Sequence, residues 1–546
     1  MKKLYKLAAL ALLSVPTFAQ TAFWTHTTYR GAFAPSPTPM WTDNWTEWNP
    51  QNKVYANTNV TISANITTNT TWTSNNTYLI QGQIYVKNGA VLTIEPGTVI
   101  MGDKSSTGAG LFITQGAKIM AEGTVTSPIV FTSNQPAGQR GLGDWGGIIL
   151  MGNATMNTPG DTAHVEGIAP INETRFGGGA TPNDNDNSGI LKYVRIEFGG
   201  YIYQPNKEIN GLTLGAVGRG TTIDYVQVSF ANDDAFEWFG GTVDCKHLVS
   251  YRNLDDDFDT DNGFSGRVQF GLIVRDPSLA DNPTVSTSEG FESDNDASGS
   301  TSAPLTSAAF SNVTLIGPYR GNTSATIASG YRRSLRLRRN TTLKVLNSIF
   351  MDTPRGVHID GTLCENNASS GTLKVQHNLF SGHATGKATE TNTTVTAFTQ
   401  SVTTWFAQSM NDSLVSSTGI LTTPYNYFTP DYRPATSSPA LATASFTNTS
   451  IFNSGFVGVN ELANNTVVVE LYPNPANDIL NVNIGLENSN EAITINIINI
   501  LGEIILTKKQ IIQNSVFNIQ HLTSGVYYVQ INVGNNTFSK KLIITH

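Results

Sequence analysis

The stretch "YRNLDDDFDTDNGFSG", residues 251–266, sets five aspartates (Asp255, Asp256, Asp257, Asp259 and Asp261) into seven positions. Oxygen donors at that density on a short segment suit a hard cation such as calcium. Asp257, Asp259 and Asp261 keep the alternate spacing of an EF-hand loop. The positions where that loop needs Gly and then Glu hold Asn262 and Val268 instead, so only a calcium site of another kind remains. Two more acidic segments flank this one: "NDDAFEW", with Asp233, Asp234 and Glu237, and "EGFESDNDA", with Glu289, Glu292, Asp294 and Asp296. If the three follow successive strands at equivalent corners, their carboxylates stack into one ridge. Crowded carboxylates hold protons more tightly unless a cation or a donor sits among them. A positive partner exists in "RRSLRLRRN", where strand alternation puts Arg332, Arg336 and Arg338 on one side and Leu335 and Leu337 on the other.

Three chemistries compete for these residues. Calcium can be held by some of Asp255, Asp257, Asp259, Asp261, Glu292 and Asp294. The same acids can instead form a solvated face balanced by arginines, with no ligand. Carbohydrate cleavage is the third: hydrolysis needs two carboxylates facing across roughly 5 to 9.5 Å, and a lyase needs a base beside calcium. The sequence fixes neither pair, so no catalytic residue is assigned. Phe236, Trp238, Phe239, Phe258, Phe264 and Phe291 interleave with the acids, either as core or as a stacking face for sugars. The eight histidines form no HExxH, and there is no GxSxG and no P-loop.

The elements that position these residues are short strands. From 57 to 450 the chain shows brief apolar runs, and several return: "LKYVRIEFGG" (191–200) as "IDYVQVSFAN" (223–232), and "LKVLNSIFMD" (343–352) as "LKVQHNLFSG" (373–382). Returns at roughly 22 to 33 residues mark a solenoid. Strands rich in β-branched residues and ended by Gly, Asn or Asp point to a right-handed parallel β-helix of about 12 to 16 rungs. A β-propeller needs blades of roughly 40 residues and fits the returns poorly. Residues 20–56 stand apart and hold Trp24, Trp41, Trp45 and Trp48, half the tryptophans of the chain. They are expected to cap the exposed core of the first rung, with a sugar-stacking platform as the alternative.

The N-terminus reads as a targeting device. Lys2, Lys3 and Lys6 precede the apolar run from Leu7 to Val15, which is too short to span a bilayer, and small Ala19 offers a cleavage point. Residues 1–19 are therefore expected to be a signal peptide. Cys245 and Cys364 are too few for a disulfide framework. A net charge of -8, with only 14% charged residues, argues against nucleic acid as partner.

After a linker at 451–465, residues 466–546 have their own rhythm of short strands and turns, read as a small Ig-like β-sandwich. The whole chain is thus all-β. "YPNPANDILNV" (472–482), "INILGEII" (498–505), "LTSGVYYVQI" (522–531) and Lys540-Lys541 before "LIIT" occur in order. By these features the tail resembles the C-terminal sorting domain of type IX secretion substrates of the Bacteroidetes. The resemblance implies recognition by the outer-membrane translocon and its shuttle protein, and delivery to the surface or the medium. Tyr472, Pro473, Asn474, Pro475, Asp478, Gly502, Gly525, Tyr527, Lys540 and Lys541 carry it. The central coils, through "TIEPGTVIMGD" and "GFESDND", resemble a group of secreted Bacteroidetes proteins with parallel β-helix cores, from which no activity transfers. The functional expectation is a surface protein that binds glycans or envelope proteins, in an adhesive or structural role. The alternative is a calcium-dependent polysaccharide lyase or glycoside hydrolase.

Overall fold

The structure, a computed structural model, describes residues 23–204, 207–384, 387–391, 401–452, 467–486, 493–499, 503–510, 514–533 and 536–545. The expected signal peptide, Gly502 and most of the expected linker lie outside them. The chain divides into two units at Thr447.

The first unit is a parallel β-helix. Val194 pairs with Val226 and Val226 with Leu248, all in parallel, so the runs near 193, 225 and 247 sit on neighbouring coils. The 30-residue return is likewise one coil: Lys344 stands on Lys374 and Ile349 on Leu379. One sheet has ten strands, from Gln83–Val86 to Thr389–Thr391. The other bends into two arms, the longer with twelve parallel strands from Val60–Ile62 to Asp412–Leu414. Between the sheets runs one apolar core. Phe236, Phe258, Phe291, Phe350 and Phe380 lie inside it with successive ring centroids 5.0–6.0 Å apart, and Phe310 lies 5.0 Å from Phe291. Such contacts add about 0.5–1.5 kcal/mol each beyond area burial.

The bend in the long sheet is a column of single residues with left-handed backbone. Tyr193, Tyr225, His247, Phe270, Asn312, Asn347 and His377 have φ of 50° to 65° and stand at one position in successive coils. Each non-glycine residue there costs about 1–2 kcal/mol. Stacking offsets part of this: Tyr193 lies 4.4 Å from Tyr225, Tyr225 4.2 Å from His247, and His247 5.1 Å from Phe270.

The remainder is offset by the N-terminal segment, and here the expected cap is corrected. The tryptophans do not sit over the first coil. They lie along the flank, on the column itself: Trp45 against Tyr193 and Tyr225, Trp41 against Tyr225 and His247, and Trp48 against Tyr251. Two glutamines hold this strap as a strand would. Gln227 accepts from the N–H of Glu47 (2.9 Å) and donates to its carbonyl (2.9 Å), and Gln269 does the same for Thr25. The start of the coil carries an aromatic pair of its own, Trp72 stacked on Tyr78 at 5.0 Å, while the column presents a run of stacked rings for the tryptophans to meet. At the other end the helix Val402–Gln408 closes the core, with Phe406 5.1 Å from Phe380.

The second unit is a β-sandwich. Val467–Tyr472, Ile479–Leu486 and Asn514–Asn518 form one antiparallel sheet. Ile493–Asn499, Ile504–Gln510, Gly525–Val533 and Asn536–Ile544 form the other. Leu480, Val482 and Phe517 from the first pack with Ile495, Ile497, Val529 and Leu542 from the second.

Candidate functional site

The outer face of the ten-stranded sheet changes character along its length. One row of outward residues, in register, runs Tyr85, Phe112, Ile149, Thr213, Glu237, Asp259, Glu292, Arg336, His358 and Glu390. Its apolar start is covered by the excursion between Met151 and Gly189, through Met156, Val165 and Phe176. Beyond Thr213 the row is acidic for three coils, then turns to Arg336 and His358 before ending on Glu390.

A second column stands two residues before the core-facing aromatic of each strand. Asp234 precedes Phe236, Asp256 precedes Phe258 and Glu289 precedes Phe291. Each carboxylate caps the next coil's backbone. Asp234 accepts from the N–H of Asp256 (2.8 Å), Asp256 from that of Glu289 (2.5 Å), and Glu289 from that of Arg333 (2.7 Å). The unit behind both columns is acid–x–Phe–acid, as DAFE, DDFD and EGFE, followed by its charge-reversed counterpart RSLR. Sequence reasoning named the three segments but missed this repeat, whose register sets Asp234, Glu237 and Asp256, none of them among the expected calcium ligands, beside Asp259 and Glu292.

The columns bring oxygens together in three overlapping groups: Asp233, Asp234 and Asp255; Asp234, Glu237 and Asp259; and Asp256, Asp259 and Glu292. Within each group the ligand atoms lie within 4.8 Å of one another. Burial pushes the carboxyls of Asp234, Glu237, Asp256 and Asp259 well above the usual range, and neighbouring acids push them further. Glu166, from the covering excursion, adds its charge to Glu237. Asp255 is pushed up to about 7, by burial first and then by Asp281 and Glu292. One buried oxygen each of Asp255 and Asp259 has no hydrogen-bond partner. Among the described residues no lysine or arginine pairs with Asp234, Glu237, Asp256 or Asp259.

The basic end is balanced differently. Glu292 takes Arg336 (3.3 Å) and Arg338, and Asp294 takes Arg338 (2.7 Å) and Arg339 (2.8 Å). Arg333 bridges Glu289 (3.0 Å) and Glu390 (2.9 Å). Arg332 stays out of this set and donates to the Ser329 and Tyr331 carbonyls.

Of the six residues expected to hold calcium, Asp255, Asp259 and Glu292 join the oxygen groups. Asp257 lies elsewhere: its side chain is fully enclosed, paired with Arg275 (2.6 Å) and accepting from Ser250. Asp261 lies at the far end of its strand and accepts from the Asn262 N–H (2.6 Å). Asp294 is committed to its two arginines. In the sandwich, Tyr472 is exposed and Tyr527 buried, with its hydroxyl on the Thr523 carbonyl (3.1 Å). Asn474 accepts from the Ile543 N–H (2.8 Å), which ties the proline turn to the last strand.

No characterised protein matches the chain significantly. Two family models do. Residues 470–545 match the secretion system C-terminal sorting domain, which marks export through the type IX system to the cell surface or the extracellular space. Residues 64–419 match the pectate-lyase like beta helix domain. That match spans more than half of the 546 residues, from the first full coils to the last. The chain belongs to the pectate-lyase like beta helix domain family.

Proposed function

We propose that the acidic band of the ten-stranded sheet binds calcium and, with the arginines beside it, holds carbohydrate outside the cell in an adhesive or surface-structural role. The observation that carries this reading is the overlap of the three oxygen groups. Two oxygens on one calcium ion, each at about 2.3–2.6 Å, stand no more than about 5 Å apart, and every group meets that limit. A divalent cation removes the repulsion that raises these carboxyls. Asp234 and Asp259 are each shared by two groups, and Asp259, which also has an unpartnered buried oxygen, is the residue chosen to test binding. Arg336, Arg338 and Arg355 border the band and offer planar donors to the carboxylates or hydroxyls of a glycan.

Cleavage is the second reading. The family takes its name from a likeness to pectate lyase, and Arg336 stands in register beside Glu292 of the third oxygen group.

One experiment separates the readings. The purified chain is titrated with calcium by calorimetry after chelation, then screened against acidic and neutral polysaccharides for bound fraction and for new reducing or unsaturated ends. Binding is expected to need calcium and to fall at least tenfold in Asp259→Asn, without product. Absence of calcium uptake sinks the cation site. Product that Asp259→Asn abolishes overturns the non-enzymatic reading.

A further inference from the structure

The sorting domain carries an apolar strip on the outer face of its four-stranded sheet. Ile498 stands opposite Ile504 on one side and Tyr528 on the other, and Tyr528 stands opposite Lys541. Next along that face, Val526 stands opposite Ile543. Ile504 is 59% exposed and Tyr528 40%, values that put large apolar side chains in water. A bulge enlarges the strip. Between Ile504 and Leu506 the strand takes two steps to its partner's one, which leaves Ile505 unpaired and exposed.

The rest of the face is different. Thr507 donates to Asn496 (2.9 Å) and Asn496 to Gln530 (3.2 Å), a polar row satisfied within itself. The apolar character is thus confined to one end. Three of the four sequence features converge on that end: "INILGEII" supplies Ile498, Ile504 and Ile505, "LTSGVYYVQI" supplies Val526 and Tyr528, and the last strand supplies the Lys541 position and Ile543.

Edge pairing is blocked. Lys508 stands opposite buried Ile495 and Lys540 opposite buried Val529, so each edge strand carries a lysine on its core-facing side. Inward charges at sheet edges oppose strand addition, which leaves the face as the recognition surface. All four lysines of the sandwich lie on these two edge strands, while Asp478 lies outside this sheet. The strip's own face is therefore apolar, with exposed Glu503 next to Ile504 and the Lys541 position opposite Tyr528 at its border.

We infer that this strip is the docking face for an outer-membrane component of the export machinery, one that presents an apolar surface of its own. A contiguous exposed apolar patch with a polar border is the usual mark of such a contact. The inference rests on the export role of the domain and adds the face through which it acts.

The test uses the full-length chain in a bacterium with a type IX system. Ile504→Asp combined with Tyr528→Asp is compared with Thr507→Ala combined with Gln530→Ala on the polar row, and with deletion of residues 470–545. Surface plus medium is measured against periplasm, and resistance to trypsin reports folding of the domain. The strip variant is expected to lose at least tenfold in delivery while staying resistant, and the polar-row variant to export normally. If the double variant is trypsin-sensitive, Ile504→Ser alone decides by the same readouts. Normal delivery of the folded strip variant overturns the inference, as does equal loss in the polar-row variant. Normal delivery together with loss of a dimer assigns the strip to a second copy of the chain and also overturns it. Normal delivery of the deletion is a separate failure, that of the sorting role itself.

Discussion

Asp257 and Arg275 sit side by side at the inner corner of the acidic band, both nearly sealed from water. Arg275 also donates to the carbonyls of Asp255 (2.5 Å) and Glu289, so one guanidinium ties two coils. Removing one partner of such a pair leaves a buried charge uncompensated. Arg275→Ala is expected to destabilise the β-helix by about 3–5 kcal/mol in chemical denaturation. Arg275→Met combined with Asp257→Leu is expected to cost clearly less. The open carboxylates give a second prediction, on pH. Asp255 and Asp261 are pushed up to about 7, and Asp234, Glu237, Asp256 and Asp259 also lie above their unfolded values. The native state therefore holds more protons than the unfolded chain from about pH 4 to about pH 7, and stability falls as pH rises through that window. With chelator present, the melting temperature is expected to be higher at pH 5 than at pH 8. Calcium is expected to narrow the gap by raising the value at pH 8. A melting temperature that rises from pH 5 to pH 8 in chelator contradicts this account.

At the scale of elements, the strap is the part that sequence reasoning placed wrongly. Its tryptophans announce a large buried surface, but nothing local says which surface. Gln227 and Gln269 lie roughly 180 and 244 positions from the backbone they hold, a separation that no periodicity reports. The coils were legible for the opposite reason. Residues such as Val194, Val226 and Leu248 recur because each stands directly on the last, so contact in space is written as return in sequence. The acidic ridge was half legible. Its three segments stood out, while Asp234, Glu237 and Asp256 emerge as members of the oxygen groups only once the aromatic in each segment is used as the register mark. Asp257 looked like a ligand because spacing alone does not show that a corner residue turns inward to an arginine. For the strap, Trp45→Ala is expected to cost about 3–5 kcal/mol. Hydrogen exchange should rise at 193, 225 and 247, the rings it covers, while Lys344–Leu346 keeps its protection. Unchanged exchange along the column would remove the strap's structural role.

At the scale of the whole molecule, the two units have separate cores with no residue in common. Deleting residues 470–545 is therefore expected to leave the melting of the β-helix within about 1 °C of its full-length value while abolishing delivery to the surface. A coupled drop in melting would show that the units stabilise each other.

The strap also sets an order in time. Arg30, among the first described residues, pairs with Asp412 (2.6 Å) and donates to the Asn378 and Pro439 carbonyls, while its own N–H donates to Ala440. Contacts across some 400 residues carry the loop-closure cost of nearly the whole unit and form slowly. The Arg30 end of the strap is thus expected to be among the last parts of the unit to find its place. Until the strap docks, the ring column at 193–270 stands bare, a surface on which partly folded chains can stick to one another.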